Sequence, residues 1–154
     1  MVSLQPITEV NRSAVLALRV APDQERYVSS VADSMTEAAD EPDGRAIQWA
    51  LCAGEAPIGF VMVSDSVGAP GYFPQYLWKL LIDRRHQRQG QGTAALDLVA
   101  DYFRRSGDAT VMTTSAGAGD GSPIPFYERY GFVRTGDIVF EREVLLQYRL
   151  RRGA

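Results

Sequence analysis

Apolar positions recur along this chain in two rhythms, one of period two and one near 3.6, and their order predicts its architecture. Leu4 to Thr8 reads as a first strand, and Asn11 is placed to cap a helix running to about Arg19. Pro22 opens a second, longer helix that extends toward Ala39. Ala46 to Ala53 and Pro57 to Ser64 are apolar runs joined by the turn signal Gly54-Glu55, which predicts a hairpin. Val67-Gly68-Ala69-Pro70-Gly71 follows as a flexible connection, and Leu77 to Ile82 is the fourth strand. Leu96, Val99, Ala100 and Phe103 fall at i, i+3, i+4 and i+7, one buried stripe on a helix from Ala94 to Phe103. Thr110 to Ser115 is the next strand, ending in the Gly-rich loop Ala116 to Gly121. Ser122 is placed to cap a short helix with Pro123 at its first position and Gly131 just past its end. Phe132 to Phe140 and Glu143 to Leu150 close the chain as two strands.

Strands and helices interleave without an internal repeat or a low-complexity tail, so residues 1–154 predict one α/β domain. Hydrophobic content of 45% and charged content of 23% are those of an ordinary soluble globule. No apolar stretch approaches the roughly 18 residues that span a bilayer, and the N-terminus has neither a basic region nor an apolar run. A cytoplasmic protein without a membrane partner is expected. Cys52 is the only cysteine, which excludes an internal disulfide and offers no metal cluster. A pI near 5.2 without a basic-aromatic stripe argues against nucleic-acid binding.

The stretch richest in chemistry is Gln87-Arg88-Gln89-Gly90-Gln91-Gly92-Thr93, between the fourth strand and the following helix. A strand, a glycine loop and a helix start in that order make a phosphate cradle, because loop N–H groups and the positive helix end converge there. Glycines at 90 and 92 are expected to let an anion approach the main chain. The dinucleotide fingerprint G-x-G-x-x-A is formally met from Gly90 to Ala95. It fails because it should begin at the strand tip and be followed by an acid ending the next strand, which here closes in Thr113-Thr114-Ser115. A P-loop fails because it needs G-K-[ST] after its first glycine, whereas the only lysine is Lys79, upstream on the strand.

Gln87-x-x-Gly90-x-Gly92 resembles the [QR]-x-x-G-x-[GA] pyrophosphate loop of the Gcn5-related N-acetyltransferase (GNAT) superfamily. About 35 residues on, Phe126-Tyr127-Glu128-Arg129-Tyr130-Gly131-Phe132 resembles that family's F-Y-x-x-x-G-F segment. The element order β-α-α-β-β-β-α-β-α-β-β is also the family's, so the resemblance covers nearly the whole chain. It implies a central mixed, mostly antiparallel sheet of about seven strands with four helices, strands four and five splayed apart.

The resemblance further implies acetyl transfer from acetyl-CoA, with no metal, to an amine by direct attack in a ternary complex. Gln87, Arg88, Gln89, Gly90, Gln91, Gly92 and Thr93 would hold the pyrophosphate, with Arg84, Arg85 and Arg88 adding positive charge. Leu81 and Ile82 of the fourth strand would lie against pantetheine, a main-chain N–H there facing the thioester carbonyl. Tyr127 would protonate the departing thiolate, a task suited to a phenol that stays protonated at neutral pH. Relatives carry asparagine seven residues before that tyrosine; here Asp120 stands there, as a cofactor contact or a helix cap. Glu141, Glu143 and Asp65 are candidates for the base by their nearness to the expected cleft, each alternatively a solvated charge. His86 reads as a loop or packing residue. A homodimer through the C-terminal strands is a family habit; the residues themselves are silent on it.

Charge distribution bears on the acceptor. Asp23, Glu25, Asp33, Glu37, Asp40, Glu41 and Asp43 face only Arg26 between positions 23 and 43, a local balance of −6 against −3 for the whole chain. In the family the first two helices wall the acceptor cleft, so an acidic wall favours a small cationic amine such as a polyamine; a solvated helix face is the alternative. Val20 to Val28 with Glu37-Ala38, Pro57 to Met62, and Phe132 to Asp137 are similar to segments of bacterial spermine/spermidine acetyltransferases. Gln24, Tyr27 and Glu37 are the acceptor contacts this implies. An antibiotic amine or a protein N-terminus as acceptor, or a non-catalytic acyl-CoA-binding module, are the other readings.

Overall fold

The computed structural model describes residues 1–66 and 70–151. Seven strands form one sheet: β1 (Val2–Pro6), β2 (Ala46–Ala53), β3 (Ala56–Ser64), β4 (Tyr76–Ile82), β5 (Val111–Gly117), β6 (Val133–Val139) and β7 (Glu143–Arg149). Their spatial order is β1-β2-β3-β4-β5-β7-β6, and every neighbouring pair is antiparallel except β4 and β5. Four helices complete the fold: α1 (Arg12–Leu16), α2 (Val31–Asp40), α3 (Gln91–Arg105) and α4 (Ile124–Tyr130). The mixed sheet and the element order match the expectation. The hairpin turn at Gly54 and Glu55 forms as its left-handed glycine requires.

Each face of the sheet buries a separate apolar cluster. On one side α3 and α4 pack Leu96, Val99, Phe103 and Tyr127 against Val61, Leu77 and Leu146. On the other, Val15, Leu18 and Val31 from the α1–α2 region pack on Ala50, Phe60, Met62 and Leu81. A sheet covered on both faces explains why β3 is buried along nearly its whole length.

Two local expectations change. The long helix from Pro22 is a 3-10 turn, Pro22–Gln24, followed by an irregular strap and then α2. Ser30 starts α2, its Oγ accepting from the Asp33 N–H at 3.1 Å; the spacing Ser30-x-x-Asp33 carries that N-cap signal in the sequence. Asn11 does precede α1, but its side chain accepts from the Thr8 N–H and donates to the Pro6 carbonyl, tying the preceding turn rather than capping the helix. The expected connection at Val67–Gly71 lies partly outside the described residues.

The pairing of β4 with β5 makes the site. These two strands are paired only at Tyr76 with Thr113 and Leu77 with Thr114, although both continue well beyond. β4 stays on β3 while β5 follows β7 as far as Gly117 opposite Glu143, so the two diverge. At the point of divergence the β3–β4 register shifts: Met62 pairs with Lys79 and Val63 with Leu77, leaving Trp78 as a bulge.

Candidate active site

Two cavities open where β4 and β5 part. The first, about 530 Å³, runs between the strands: Trp78, Lys79 and Leu80 form one wall, Thr114 to Ala118 the other, with Tyr127 of α4 lining it as well. The strap from Glu25 to Ser29 borders the same space. The second, about 500 Å³, is lined by Glu37, Glu41, Tyr72, Tyr76 and Phe140. Trp78, Lys79 and Glu143 line both, so the cavities adjoin at those three side chains.

The bulge decides which main-chain groups face the first cavity. Before it, the Leu77 carbonyl points at β5 and accepts from Thr114 Oγ1 at 2.9 Å. After it, the Asp83 N–H points the other way, to Ile58 of β3, while the Ile82 carbonyl accepts from Gln87 Nε2. Alternation along the strand then turns the peptide groups of Leu80 and Ile82 into the gap. Ile82 is where it was expected. Leu81 is not: its side chain is 2% exposed, packed in the α1–α2 cluster, and its main chain faces β3 opposite Phe60. Leu80 turns its main chain toward the gap instead, a change of phase for which the sequence bears no mark, since a bulge needs only one unpaired residue.

The glycine loop reaches α3 through two left-handed residues, Arg88 at φ 61° and Gly90 at φ 78°. No side chain caps α3, so the N–H groups of Gln91, Gly92 and Thr93 lack intrahelical partners and point beyond the helix end. That end is a ready anion site, and the exposed Arg84 and Arg88 flank it. The two glycines serve different needs. Space around Gly90 is open and its backbone conformation demands glycine; a Cβ on Gly92 would sit 2.9 Å from the Phe126 ring. Gly92 therefore lets α4 pack on the cradle, linking the two sequence motifs. Gln87 works inward, donating to Gln24 Oε1 at 2.8 Å and the Ile82 carbonyl at 2.9 Å.

Asp83 fixes the entry to this loop. It is 2% exposed and accepts from the Arg19 N–H, the Arg85 N–H and Arg85 Nε at 2.9, 3.2 and 2.7 Å. Burial raises its pKa, but these hydrogen bonds outweigh burial and hold the carboxyl below its usual range. Arg85 is thereby committed to Asp83 rather than turned to the cradle.

Tyr127 is 6% exposed among Phe126 and Phe132, 5.4 and 5.3 Å between ring centroids. Burial pushes its phenol up to about 12, with the Thr114 hydroxyl opposing in part. A phenol held this firmly protonated keeps a proton to donate at neutral pH. Phe126 and Tyr130 pack: Phe126 against Gly92, Tyr130 against Phe132 and Tyr148 with its hydroxyl on Asp97 at 2.7 Å.

Of the residues expected at the acceptor cleft, Glu37 lines the second cavity, where it holds Lys79 Nζ at 2.9 Å and accepts from Trp78 Nε1 at 2.9 Å. Tyr27 borders the first cavity instead, against Gly117 and Gly119, with the Arg26 guanidinium 4.8 Å from its ring centroid. Gln24 lines neither; its amide oxygen is taken by Gln87 and by the Ala21 N–H. Asp120 is exposed, and its carbonyl accepts from Arg26 Nη2 at 2.7 Å. It does not cap α4: Pro123, expected at the first helical position, is itself the N-cap and no side chain caps the helix, while Ser122 Oγ just before it accepts from the Ile124 N–H at 3.1 Å. Of the candidate bases, Glu143 lies at the junction of the cavities, whereas Glu141 sits in the β6–β7 turn at φ 70° and Asp65 lines neither cavity. Among the described residues no group of three potential ligands suits a metal ion, and no helix is long and apolar enough to cross a membrane.

The sequence pattern of the acetyltransferase (GNAT) family matches residues 9–132. The spermine/spermidine N(1)-acetyltransferase of Bacillus subtilis is 24% identical over 94% of this chain and 96% of its own length. Among solved structures, the aminoglycoside acetyltransferase AAC(6')-Ib in complex with coenzyme A superposes with a TM-score of 0.75 at 14% identity, over 97% of this chain and 95% of that one. The ribosomal-protein-S18-alanine N-acetyltransferase of Escherichia coli superposes with a TM-score of 0.65 at 15% identity, over 100% and 97%. With the family pattern spanning most of the chain, and the splayed strands, uncapped helix end and buried tyrosine in one cleft, this chain belongs to the acetyltransferase (GNAT) family and is an acetyl-CoA-dependent acyltransferase.

Proposed function

We propose that the enzyme acetylates a primary amine of a small cationic acceptor, a polyamine being the favoured class, by direct attack with both substrates bound. The observation that carries this reading is the second cavity. Glu37, Glu41 and Glu143 contribute three carboxylates to its wall, and its one lining cation, Lys79, is already paired with Glu37. Tyr72, Tyr76 and Trp78 add aromatic faces, which attract ammonium groups as well as aliphatic linkers. Such a wall suits a thin chain of methylenes and charged nitrogens.

In this reading the N–H groups of Gln91, Gly92 and Thr93, with Arg84 and Arg88, hold the phosphates of acetyl-CoA. Acetyl-CoA supplies the activated acyl carbon and a thiolate leaving group. Leu80 and Ile82 offer main-chain N–H groups along the gap, where they would hold pantetheine and steady the carbonyl oxygen as negative charge grows. Tyr127 gives its proton to the departing sulfur. Support for the polyamine class also comes from the Bacillus subtilis relative, whose match extends over 94% of this chain.

The test is thiol release from acetyl-CoA against spermidine, spermine, short diamines, an aminoglycoside and a peptide with a free N-terminus. Selective turnover of polyamines supports the proposal. Preference for the aminoglycoside or the peptide moves the acceptor to those classes, and CoA binding without turnover of any amine contradicts the proposed reaction.

A further inference from the structure

Amine acetylation needs a neutral nucleophile, but a cationic acceptor arrives as an ammonium, so one proton must leave before the C–N bond forms. The bond forms where the acyl and amine cavities adjoin, and among the described residues only three side chains line both. Trp78 cannot accept a proton, and Lys79 is a cation paired with Glu37. Glu143 is the one acceptor left. It does not stand alone: Ser115 Oγ donates to Glu143 Oε1 at 3.1 Å, and Tyr76 Oη lies 2.5 Å from Ser115 Oγ. Ser115 has a single proton, and it points at Glu143, so Tyr76 must donate to Ser115. Both hydroxyl protons are therefore already ordered toward the carboxylate, and Tyr76 is among the residues lining the amine cavity.

We propose that Tyr76, Ser115 and Glu143 form the proton exit of the reaction, with Glu143 as the final acceptor. This rests on the acetyltransferase reading above and adds a path for the proton to it. One ammonium N–H bond breaks and its proton joins Tyr76 Oη. The Tyr76 proton passes to Ser115 Oγ, and the Ser115 proton passes to Glu143 Oε1. The nitrogen keeps its lone pair, both hydroxyls end neutral as they began, and Glu143 becomes a carboxylic acid. Being only partly buried, Glu143 then returns the proton to water. Burial keeps the Tyr76 phenol far above neutrality, so it hands protons on without resting as a phenolate. Tyr127 is separate from this chain: it gives a proton to sulfur, while the exit takes one from nitrogen.

The charge around Glu143 is mixed. From the amine side it shares a wall with Glu37 and Glu41 of the α2 region, Tyr72, Tyr76 and Lys79. From the acyl side it faces Glu25, Arg26 and Tyr27 of the strap, Arg142 and Tyr127. A carboxylate here also attracts the acceptor simply as a charge, and the test must separate the two roles. Tyr76→Phe and Ser115→Ala cut the chain while leaving every carboxylate in place.

The experiment measures kcat/KM for one polyamine acceptor from pH 7 to pH 9.5 in the wild type, Y76F, S115A and E143Q, with CoA affinity and thermal unfolding as checks on folding. All three variants should lose about 100-fold or more at pH 7, mainly in kcat, the scale of general base catalysis. The deficit should shrink as pH rises toward the acceptor's pKa, near 10.4 for an alkyl amine, because the substrate then arrives neutral. Wild-type rates in Y76F and S115A, with E143Q altered only in KM, would overturn the relay and leave Glu143 as a binding charge. A deficit that does not shrink at high pH also overturns it. No turnover by the wild type with any amine overturns the acetyltransferase reading and the relay together, whereas wild-type turnover with unaffected variants overturns the relay alone.

Discussion

The two adjoining cavities are built on opposite plans. The acyl side is mostly backbone: a helix end left uncapped at Gly90, a strand re-phased by the bulge at Trp78, and peptide groups of Leu80 and Ile82 turned into the gap. The amine side is mostly side chain: carboxylates from positions 37, 41 and 143, with rings from 72, 76 and 78. A backbone site accepts any ligand that matches its donors, so it suits a cofactor common to a family. A side-chain site is rewritten by a few substitutions, so it is where one member departs from another. In the proposed reading, reaction type lies with the first side and acceptor choice with the second.

Tyr127→Phe should break the acyl side most severely. Turnover should fall about 100-fold or more while CoA affinity stays near wild type, since only the proton is lost. With its phenol pushed up to about 12, kcat should show no fall between pH 7 and 10 from loss of this proton. Asp83→Asn should come next. It weakens the acceptor for three donors below the cradle, and a stability loss of about 1–3 kcal/mol should appear in denaturant unfolding. Because the Asp83 carboxyl lies below its usual range, its contribution is present above the unfolded pKa near 3.9 and is lost as pH falls through the folded value. Acid unfolding of the wild type should therefore show a step that D83N lacks.

Gly90→Val should weaken CoA binding about tenfold, because a β-branched residue at φ 78° costs on the order of 1–2 kcal/mol and distorts the helix end. Its acceptor KM should not move when acetyl-CoA is saturating, which sharpens the division between the sides. Glu41→Gln should have the smallest effect, raising KM for a polyamine by about two- to fivefold, more at low salt, as expected of an exposed charge. An equal change in CoA affinity would show that the two sides are not separate.

The same contrast explains what was legible in the sequence. Gly90 and Tyr127 stood out because a left-handed residue before a helix and an aromatic motif on a short helix leave fixed spacings. The apolar runs of β2 and β3 and the stripe on α3 marked the sheet and its cover. Leu80 was missed because a bulge at Trp78 reverses the strand's phase, and no residue type announces it. Gln24 was misplaced because the helix from Pro22 breaks, leaving its side chain on Gln87 rather than in the cleft. Glu37 lies in the wall of the second cavity, in the segment that local charge density singled out. Glu143, Ser115 and Tyr76 converge only through the pairing of β5 with both β4 and β7, a juxtaposition over 39 and 28 positions that periodicity cannot reveal.

The central claim is that the two cavities are filled together and meet at Glu143. Initial rates of thiol release over a matrix of acetyl-CoA and spermidine concentrations test it most directly. The account predicts intersecting double-reciprocal lines, the pattern of a ternary complex. Parallel lines, the mark of an acyl-enzyme formed before the amine binds, would contradict it.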